Sequence, residues 1–473
     1  MSRRTQPSPR PADRSAPGGF LHSHAILLIA FAFAVMADPV SSVAYAIEAA
    51  LRALHGDLAL LMATMALVIA IVALVIVNYH QLVGRFPEGG GAAAAAGKAF
   101  GEAWAFVPLG ALVVDFVLTI AISAAAGSAA IIAFFPGLDG WRVPLTLVLL
   151  LGVAGITWFG HLGRALFALM TLAFVGVGSL VVLRGFGIEP AAGPIPGSAA
   201  TSFTDLSVVL AFPVAMALAT GIEAPSSAIA QLGMLDDRGR RRFGRVTLWL
   251  TLAIVSWLTL GLTAMAVRLH IGIPAHDSTL VADIARQTGG SLFAAFQLTS
   301  GALLLAAASS SFQAGPGLLK ALARGGGGAR STGILPTWMG RTNRHHTPYW
   351  GVVAYLVVSA SVVVAAGGQE QSLVLFYAVA VFVSFLAGLL AMARFSRREG
   401  RMGSLALNAV GSLVVAFTLV VNLGRGYPIV SLAASLLVAG AFHRLWVRAG
   451  RPGGVSEAER IGEQVVGEEL IET

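Results

Sequence analysis

Long apolar segments recur from one end of the chain to the other, and their length restricts the fold more than any other feature. Twelve of them hold about 18 or more residues with few charges, and about 20 helical residues are enough to cross the hydrocarbon core of a bilayer. Only 11% of the residues are charged, against about 25% in an ordinary soluble domain. A soluble core would have to bury all of these segments, so we predict an all-α integral membrane protein.

Twelve transmembrane helices are predicted, at residues 24–54, 58–83, 98–135, 143–160, 163–185, 205–233, 245–270, 289–323, 349–367, 371–394, 404–423 and 427–447. Most of the 31 basic residues lie in the two tails and in every second connection between spans. By the positive-inside rule these segments are cytoplasmic, so both termini are predicted to be cytoplasmic. The predicted organisation is a disordered basic tail (1–23), a membrane domain (24–448) and a short acidic tail (449–473), in which Ser456 and Glu459 match a capping box.

The first predicted span is interrupted by a polar segment that runs from Asp38 to Ser42. Pro39 donates no N–H and clashes with the carbonyl four residues earlier, so the helical ladder is expected to open beside Asp38. Backbone groups released at membrane depth need a water-lined or ion-lined cavity. A carboxylate at that depth is a candidate functional group, and Asp38 is therefore one.

The sixth predicted span has the same kind of interruption, from Thr220 to Ser227, with Glu223 and Pro225 inside it. Two broken helices at corresponding positions of two halves are typical of a transporter's central site, because half-helix ends present carbonyls and N–H groups. The alternative is a pair of proline kinks with satisfied polar residues. A carboxylate beside each kink favours the site, since acids inside a membrane are costly.

The third predicted span carries Asp115, Thr119, Ser123 and Gly127, which are spaced four residues apart and therefore share one helix face. For Ser123 and Gly127, close helix packing explains the small residues equally well. An isolated carboxylate in mid-helix must be protonated, paired or bound to a cation. No Lys or Arg lies in the middle of a predicted span, so Asp115 is expected to face a cation or a proton.

Several further features have plain structural interpretations. Tyr377 on the tenth span is expected to pack with its hydroxyl on a nearby carbonyl. Glu48 and Arg52, one helical turn apart, are expected to form an ion pair near the external end of the first span. Residues 86–91 are interpreted as a flexible hinge, and residues 238–245 as part of a basic loop beside anionic lipid headgroups.

The composition excludes several kinds of chemistry. The chain has no cysteine, which rules out disulfides and thiolate metal sites. Its glycine clusters follow no strand and open no phosphate-binding helix, and the formal net charge of +8 is better explained by membrane topology than by nucleic acid. We therefore expect no enzyme activity, no cofactor and no nucleic-acid partner. The lipid bilayer is the expected partner, and a homodimer is left open.

Four stretches together resemble a known superfamily. The segments ADPVSSVAYAIEAAL, FPEGGG, ALVVDFVLTIAIS and TGIEAPS, with the twelve-span plan, look like the amino acid–polyamine–organocation (APC) superfamily and, within it, the KimA-type potassium–proton symporters. The resemblance covers the whole membrane region. It implies the LeuT-type fold, which is an inverted five-helix repeat with broken first and sixth helices and two additional helices.

The resemblance also implies roles for individual residues. In the family, hydroxyl and carboxylate oxygens hold the central potassium ion, and the matching residues here are Tyr45, Asp115, Thr119, Thr220 and Tyr377. Ser123 matches the third-helix serine, and Asp38 and Glu223 match flanking acids that are expected to carry proton coupling. Two departures are Phe116, where the family commonly has tyrosine, and the family's soluble cytoplasmic domain, which we expect to be missing.

Potassium and an amino acid remain as two candidate substrates, because permeases of the superfamily share much of this pattern. A permease presents glycine-flanked N–H groups at the first break to hold a substrate carboxylate. This chain has no glycine between Gly19 and Gly56, and Asp38 stands at the break instead. We therefore predict secondary active, proton-coupled potassium uptake across the plasma membrane, with a proton-coupled amino acid permease as the alternative. A third possibility is a structural or receptor-like membrane protein that transports nothing. It would require the buried acids to play no part in function.

Overall fold

In the computed structural model, the described residues are 27–159, 164–197, 206–324 and 333–469, and their regular structure is helical throughout. The predicted N-terminal tail (1–23) lies outside them. The helices are α1 (27–35), α2 (Ala37–Ser41), α3 (Val43–Ala53), α4 (Leu58–Arg85), α5 (Gly91–Phe100), α6 (Phe106–Phe134), α7 (Arg142–Phe159), α8 (Arg164–Phe186), α9 (Ser207–Ala215), α10 (Ala224–Ala228), α11 (Asp237–Arg268), α12 (Leu280–Gln287), α13 (Gly290–Arg324), α14 (Tyr349–Ala365), α15 (Glu370–Arg398), α16 (Met402–Leu423), α17 (Pro428–Arg448) and α18 (Ala458–Glu469).

Ten helical segments of the described chain are long and apolar enough to cross a bilayer. They are Leu58–Arg85, Glu102–Phe134, Pro136–Phe159, Ala165–Phe186, Ser207–Gln231, Asp237–Arg268, Gly290–Arg324, Glu370–Arg398, Met402–Leu423 and Pro428–Arg448. Two predicted spans fall outside this set because of their length: α14 has 17 residues, and α1 to α3 are three short pieces. The chain is thus an all-helical membrane protein.

The first break is smaller than the sequence predicts. Ser42 separates α2 from α3 but keeps right-handed helical backbone angles, with φ −63° and ψ −22°, and a backbone hydrogen bond of 3.0 Å still joins Ser42 to Ala46. The hydroxyls of Ser41 and Ser42 donate to the carbonyls of Asp38 and Pro39, at 2.7 Å each. Beside Pro39, serine hydroxyls therefore bond to backbone carbonyls, and the backbone does not unwind.

The second break is a full interruption. α9 is followed by a 3-10 turn that ends at Ala219, and Thr220 is then extended, with φ −54° and ψ 133°. Gly221 has a φ of +68°, a left-handed conformation that glycine adopts readily and that costs other residues about 1–3 kcal/mol. A β-carbon at Gly221 would also lie 2.6 Å from Oδ2 of Asp38. Glycine is needed here both for its backbone angle and for the approach of Asp38.

Three predicted boundaries or loops are wrong. The third predicted span is divided at Gly101, whose φ is +109°, into the separate helix α5 and the long helix α6. Residues 238–245 form the first turns of α11 rather than a loop, because Asp236 caps this helix by accepting the N–H of Gly239 at 2.8 Å. The predicted hinge at 86–91 is a packed turn, in which a β-carbon at Gly89 would lie 3.0 Å from the carbonyl oxygen of Ser227.

The two ends of the helix bundle differ in their contacts. Arginines stand in the last turns of α4, α13 and α15, at Arg85, Arg324 and Arg397, and this end is called the basic end below. At the opposite end the predicted ion pair between Glu48 and Arg52 is confirmed at 2.8 Å. Glu48 is buried and also accepts the backbone N–H of Leu280 at 3.0 Å.

The predicted acidic helix near the C terminus is α18, but its predicted capping box is wrong. Ser456 donates its N–H and its hydroxyl to Glu102, at 2.9 and 3.0 Å. Glu459 is then available for another partner and accepts the hydroxyl hydrogen of Ser227. The second half of the broken segment thus meets the C-terminal part of the chain.

Candidate functional site

A cavity of about 130 Å³ lies among α1, α6, α10, α13 and α18. Its wall brings together three carboxylates from separate parts of the chain, Asp38, Asp115 and Glu223. Within the described residues, no Lys, Arg or His contributes to this wall. The other polar wall residues are Ser227, Gln231, Ser310, Ser311, Gln313, Glu459 and Glu463.

Asp115 is the centre of a polar cluster on α6. Its side chain is only 4% exposed, and the hydroxyl of Tyr377 lies beside it. The same tyrosine oxygen lies 3.2 Å from Oγ1 of Thr119. Either of these two hydroxyls can be the donor in that contact. This geometry confirms that Asp115 and Thr119 share a face and brings Tyr377 to it.

A second pair of hydroxyls lies where the two broken segments meet, beside the hydrogen bond of 3.1 Å from the hydroxyl of Ser42 to the carbonyl of Leu218. The hydroxyl of Thr220 donates to the carbonyl of Ala217 at 2.6 Å, and the hydroxyl of Tyr45 lies beside Thr220. Asp38 and Asp115 both lie close enough for their charges to act on the Tyr45 hydroxyl. Tyr45 and Thr220 therefore stand beside the same acids that line the cavity.

Ser123 is the one predicted site residue that these contacts do not include. It lies one turn beyond Thr119, its side chain is buried, and its hydroxyl has no hydrogen-bond partner among the described residues. Ser123, Tyr45, Thr119, Thr220 and Tyr377 are also not part of the cavity wall. The predicted residues thus divide into three carboxylates on the cavity, four paired hydroxyls beside it, and Ser123.

Sequence reasoning missed Tyr355 on α14. Its ring packs against Phe116, with 6.4 Å between ring centroids, and its buried hydroxyl has no hydrogen-bond partner among the described residues. Asp115 is near enough for its charge to act on this hydroxyl. Tyr355 therefore provides a phenol in the neighbourhood where Phe116 lacks one, and a tyrosine in the middle of an apolar span was the available signal.

The three carboxylates present unpaired acceptors to the cavity region. Oδ1 of Asp38, Oδ1 of Asp115 and Oε2 of Glu223 are buried and accept no hydrogen bond from the described residues. A buried charge without a partner is unfavourable, so each group must hold a proton or face a cation. In the described chain, no three His, Asp or Glu side chains are grouped to hold one metal ion. The three acids therefore line the cavity separately and do not form one chelating cluster.

Comparison with known proteins identifies the family. The family profile described as amino acid permease matches residues 26–438. The potassium transporter KimA of Bacillus subtilis (strain 168) is 28% identical over 352 residues, which cover 72% of this chain and 56% of KimA. The chain therefore spans little more than half of that relative's length. These matches indicate a membrane transporter rather than an enzyme, and the chain belongs to the amino acid permease family of the APC superfamily.

Proposed function

We propose that the protein takes up potassium across the plasma membrane by secondary active transport coupled to protons. The observation that carries the proposal is the cavity in which Asp38, Asp115 and Glu223 meet, with no basic side chain from the described residues in its wall. Such a cavity attracts cations, because the field of carboxylates is poorly screened at low dielectric. The relative KimA is a potassium transporter, and this similarity supports potassium as that cation.

The proposal includes the LeuT-type arrangement of twelve helices. α14 would be about 26 Å long at 1.5 Å per residue, close to the roughly 30 Å of a hydrocarbon core. With α14 and the run 27–53 added to the ten candidate spans, the number of crossings is even. Both termini then lie at the basic end, which the positive-inside rule assigns to the cytoplasm. The two broken segments become the first and sixth helices of an inverted repeat.

The potassium site is proposed at the paired hydroxyls and Asp115. Oxygen atoms are the ligands that hard cations prefer, and the cluster holds four hydroxyls and one carboxylate that lie side by side in two groups. In the proposal both groups face one ion. The proposed ligands are Tyr45, Asp115, Thr119, Thr220 and Tyr377, with Ser123 one turn away.

Proton coupling is proposed for Asp38 and Glu223. Each stands beside a break in its segment and has a buried oxygen that accepts no hydrogen bond from the described residues. An acid in this position exchanges its proton when its surroundings change between wet and dry, because desolvation disfavours the charged form. Movement of the broken segments during transport would make that change.

A proton-coupled amino acid permease is the second candidate, because the profile that matches residues 26–438 is described as amino acid permease. An amino acid would have to place its carboxylate at a half-helix N-terminus. At the second break Asp38 already packs against Gly221, where an added β-carbon would lie 2.6 Å from its Oδ2. A substrate carboxylate would meet a like charge there, which favours potassium.

A substrate panel on one purified sample tests the proposal. Thermal unfolding would be followed at constant ionic strength with potassium, rubidium, sodium, and neutral and acidic amino acids, and rubidium uptake into proteoliposomes would be measured with and without an inward proton gradient. We expect potassium and rubidium to raise the unfolding temperature and to compete, and the proton gradient to drive uptake. Stabilisation by an amino acid without any response to potassium or rubidium would favour the permease instead.

A further inference from the structure

The C-terminal helix α18 packs across the basic end of the bundle, against parts of the chain that line the cavity. It contacts α13, α5, α10 and the 3-10 turn Ile229–Gln231. Glu459 and Glu463 of this helix form part of the cavity wall, together with Asp38 and Asp115. This short helix, which follows the last span in the sequence, therefore forms part of the cavity wall.

Polar contacts hold α18 to the second half of the broken segment. Ser227 of α10 donates its hydroxyl hydrogen to Glu459, and the amide of Gln231 donates to Glu463. Glu459 also lies at the start of α5, where a β-carbon on Gly91 would be 2.6 Å from its Oε1. The side chain of Glu459 therefore contacts α10 and the first turn of α5 at once.

A backbone approach holds the other side of α18. Gly462 lies so close to α13 that a β-carbon there would be 3.0 Å from the backbone nitrogen of Leu318 and 3.1 Å from the carbonyl carbon of Gly317. Backbone atoms cannot move aside as a flexible side chain can. The fit between α18 and α13 thus depends on the absence of a side chain at Gly462.

We propose that α18 is an autoinhibitory plug, which closes the cytoplasmic end of the transport cavity when docked and has to be released before an ion can leave. The helix bridges α10, α5 and α13, so while docked it fixes the separation of the elements that would have to part. The proposal rests on the proposed transport function for its consequence, but the docking itself can be measured without any transport.

Cysteine accessibility provides that measurement, since the chain has no native cysteine. Ala314 lies on α13 in the cavity wall and is half-buried, so Ala314→Cys reports on the opening of the cavity. Sealed right-side-out and inside-out vesicles would be treated with a membrane-impermeant maleimide, and the labelling rate would be compared with that of Gly453→Cys, an exposed reference position.

Two substitutions should release the helix in different ways. Gly462→Leu adds a side chain against the backbone of α13, and Glu459→Ala leaves the buried hydroxyl of Ser227 without its acceptor. The loss of such hydrogen bonds changes an equilibrium about tenfold or more, so we expect at least that increase in labelling of Ala314→Cys from the cytoplasmic face. Glu457→Ala is the matched control, because Glu457 is more exposed and pairs with Arg460 instead.

The outcomes separate the plug from the proposed transport function. Faster labelling of Ala314→Cys in both Gly462→Leu and Glu459→Ala, an unchanged labelling rate in Glu457→Ala, and faster rubidium uptake in the two releasing variants would support the plug. Faster labelling without any rubidium uptake in any variant would keep the docking role and reject the transport function. Unchanged labelling in both Gly462→Leu and Glu459→Ala, with native unfolding temperatures, would overturn the plug.

Discussion

Asp115 is the residue whose charge we expect to matter most. Replacement by asparagine keeps its shape and its ability to accept a hydrogen bond, but removes the negative charge that the proposed potassium ion would face. Charged hydrogen-bonding groups contribute about 1.5–3 kcal/mol, so Asp115→Asn should lower rubidium uptake by about tenfold or more.

Thr119→Val is the graded comparison for that variant, because it removes one hydroxyl at nearly constant volume and should reduce uptake less. Unfolding temperatures of both variants would be measured by thermal shift, and we expect no decrease for Asp115→Asn. Full uptake by a folded Asp115→Asn protein would move the ion site away from α6.

Glu223 is the residue that we expect to link transport to protons. Glu223→Gln keeps the volume and hydrogen-bonding capacity of the side chain but cannot exchange a proton. We expect potassium still to stabilise this variant in thermal shift, while rubidium uptake no longer responds to an imposed proton gradient. Asp38→Asn is the parallel variant, and an undiminished response in Glu223→Gln would assign the proton to Asp38 or Asp115.

At the scale of single elements, the second break depends on Gly221. Its φ of +68° and the contact with Asp38 mean that Gly221→Ala adds both backbone strain and a clash. A non-glycine residue in this conformation costs about 1–3 kcal/mol, so the variant should unfold at a lower temperature and lose uptake. Gly155→Ala is the control, since open space surrounds Gly155 within α7 and alanine favours a helix.

The docking of α18 should depend on pH through Glu459. The pKa of this carboxyl is raised from an ordinary 4.5 to about 7, chiefly because burial disfavours its charged form; the hydrogen bond from Ser227 lowers the pKa, and the charge of Glu463 raises it. The docked helix therefore holds a proton that the released helix gives up near its ordinary pKa. Docking is fully favoured below about pH 4.5, weakens as the pH rises to about 7, and changes no further above that value.

This pH dependence would be measured as the labelling rate of Ala314→Cys relative to Gly453→Cys, so that the titration of the thiol itself cancels. We expect the ratio to rise between pH 5 and pH 7, and Glu459→Gln, which imitates the protonated acid, to keep it low throughout. A ratio with the same pH profile in Glu459→Gln would assign the dependence to another group. The charged or titratable groups on the surrounding elements are Tyr79, Lys98, Glu102, Glu223, Lys320, Glu457, Arg460 and Glu463.

At the scale of the whole molecule, the proposed topology places the basic end in the cytoplasm. Four exposed glycines with open surroundings offer labelling positions, two at each proposed face: Gly140, Gly272, Gly403 and Gly453. In intact cells, cysteines at Gly140 and Gly272 should react with an impermeant maleimide, while those at Gly403 and Gly453 should react only after permeabilisation. Labelling of both pairs in intact cells would reject the proposed topology.

The helical membrane architecture and three of the acids in the candidate site were predictable from sequence. Both follow from local physics, because the length of an apolar run decides whether a helix can span lipid, and a carboxylate inside such a run is too costly to be incidental. The spacing of Asp115 and Thr119 also predicted their common face. The sequence did not indicate how far each segment would unwind, since Pro39 is accommodated by serine hydroxyls whereas Gly221 requires a left-handed backbone.

Tertiary structure decided which groups meet. Thr119 pairs with Tyr377 across 258 positions and Ser227 with Glu459 across 232, and no local pattern predicts such pairs. The sequence predicted that Glu459 and Ser456 form a capping box at the start of α18. In the structure Ser456 donates to Glu102 instead. Local preferences of about 1 kcal/mol give way when packing brings partners from other elements, and that is why the position of α18 became visible only in the folded chain.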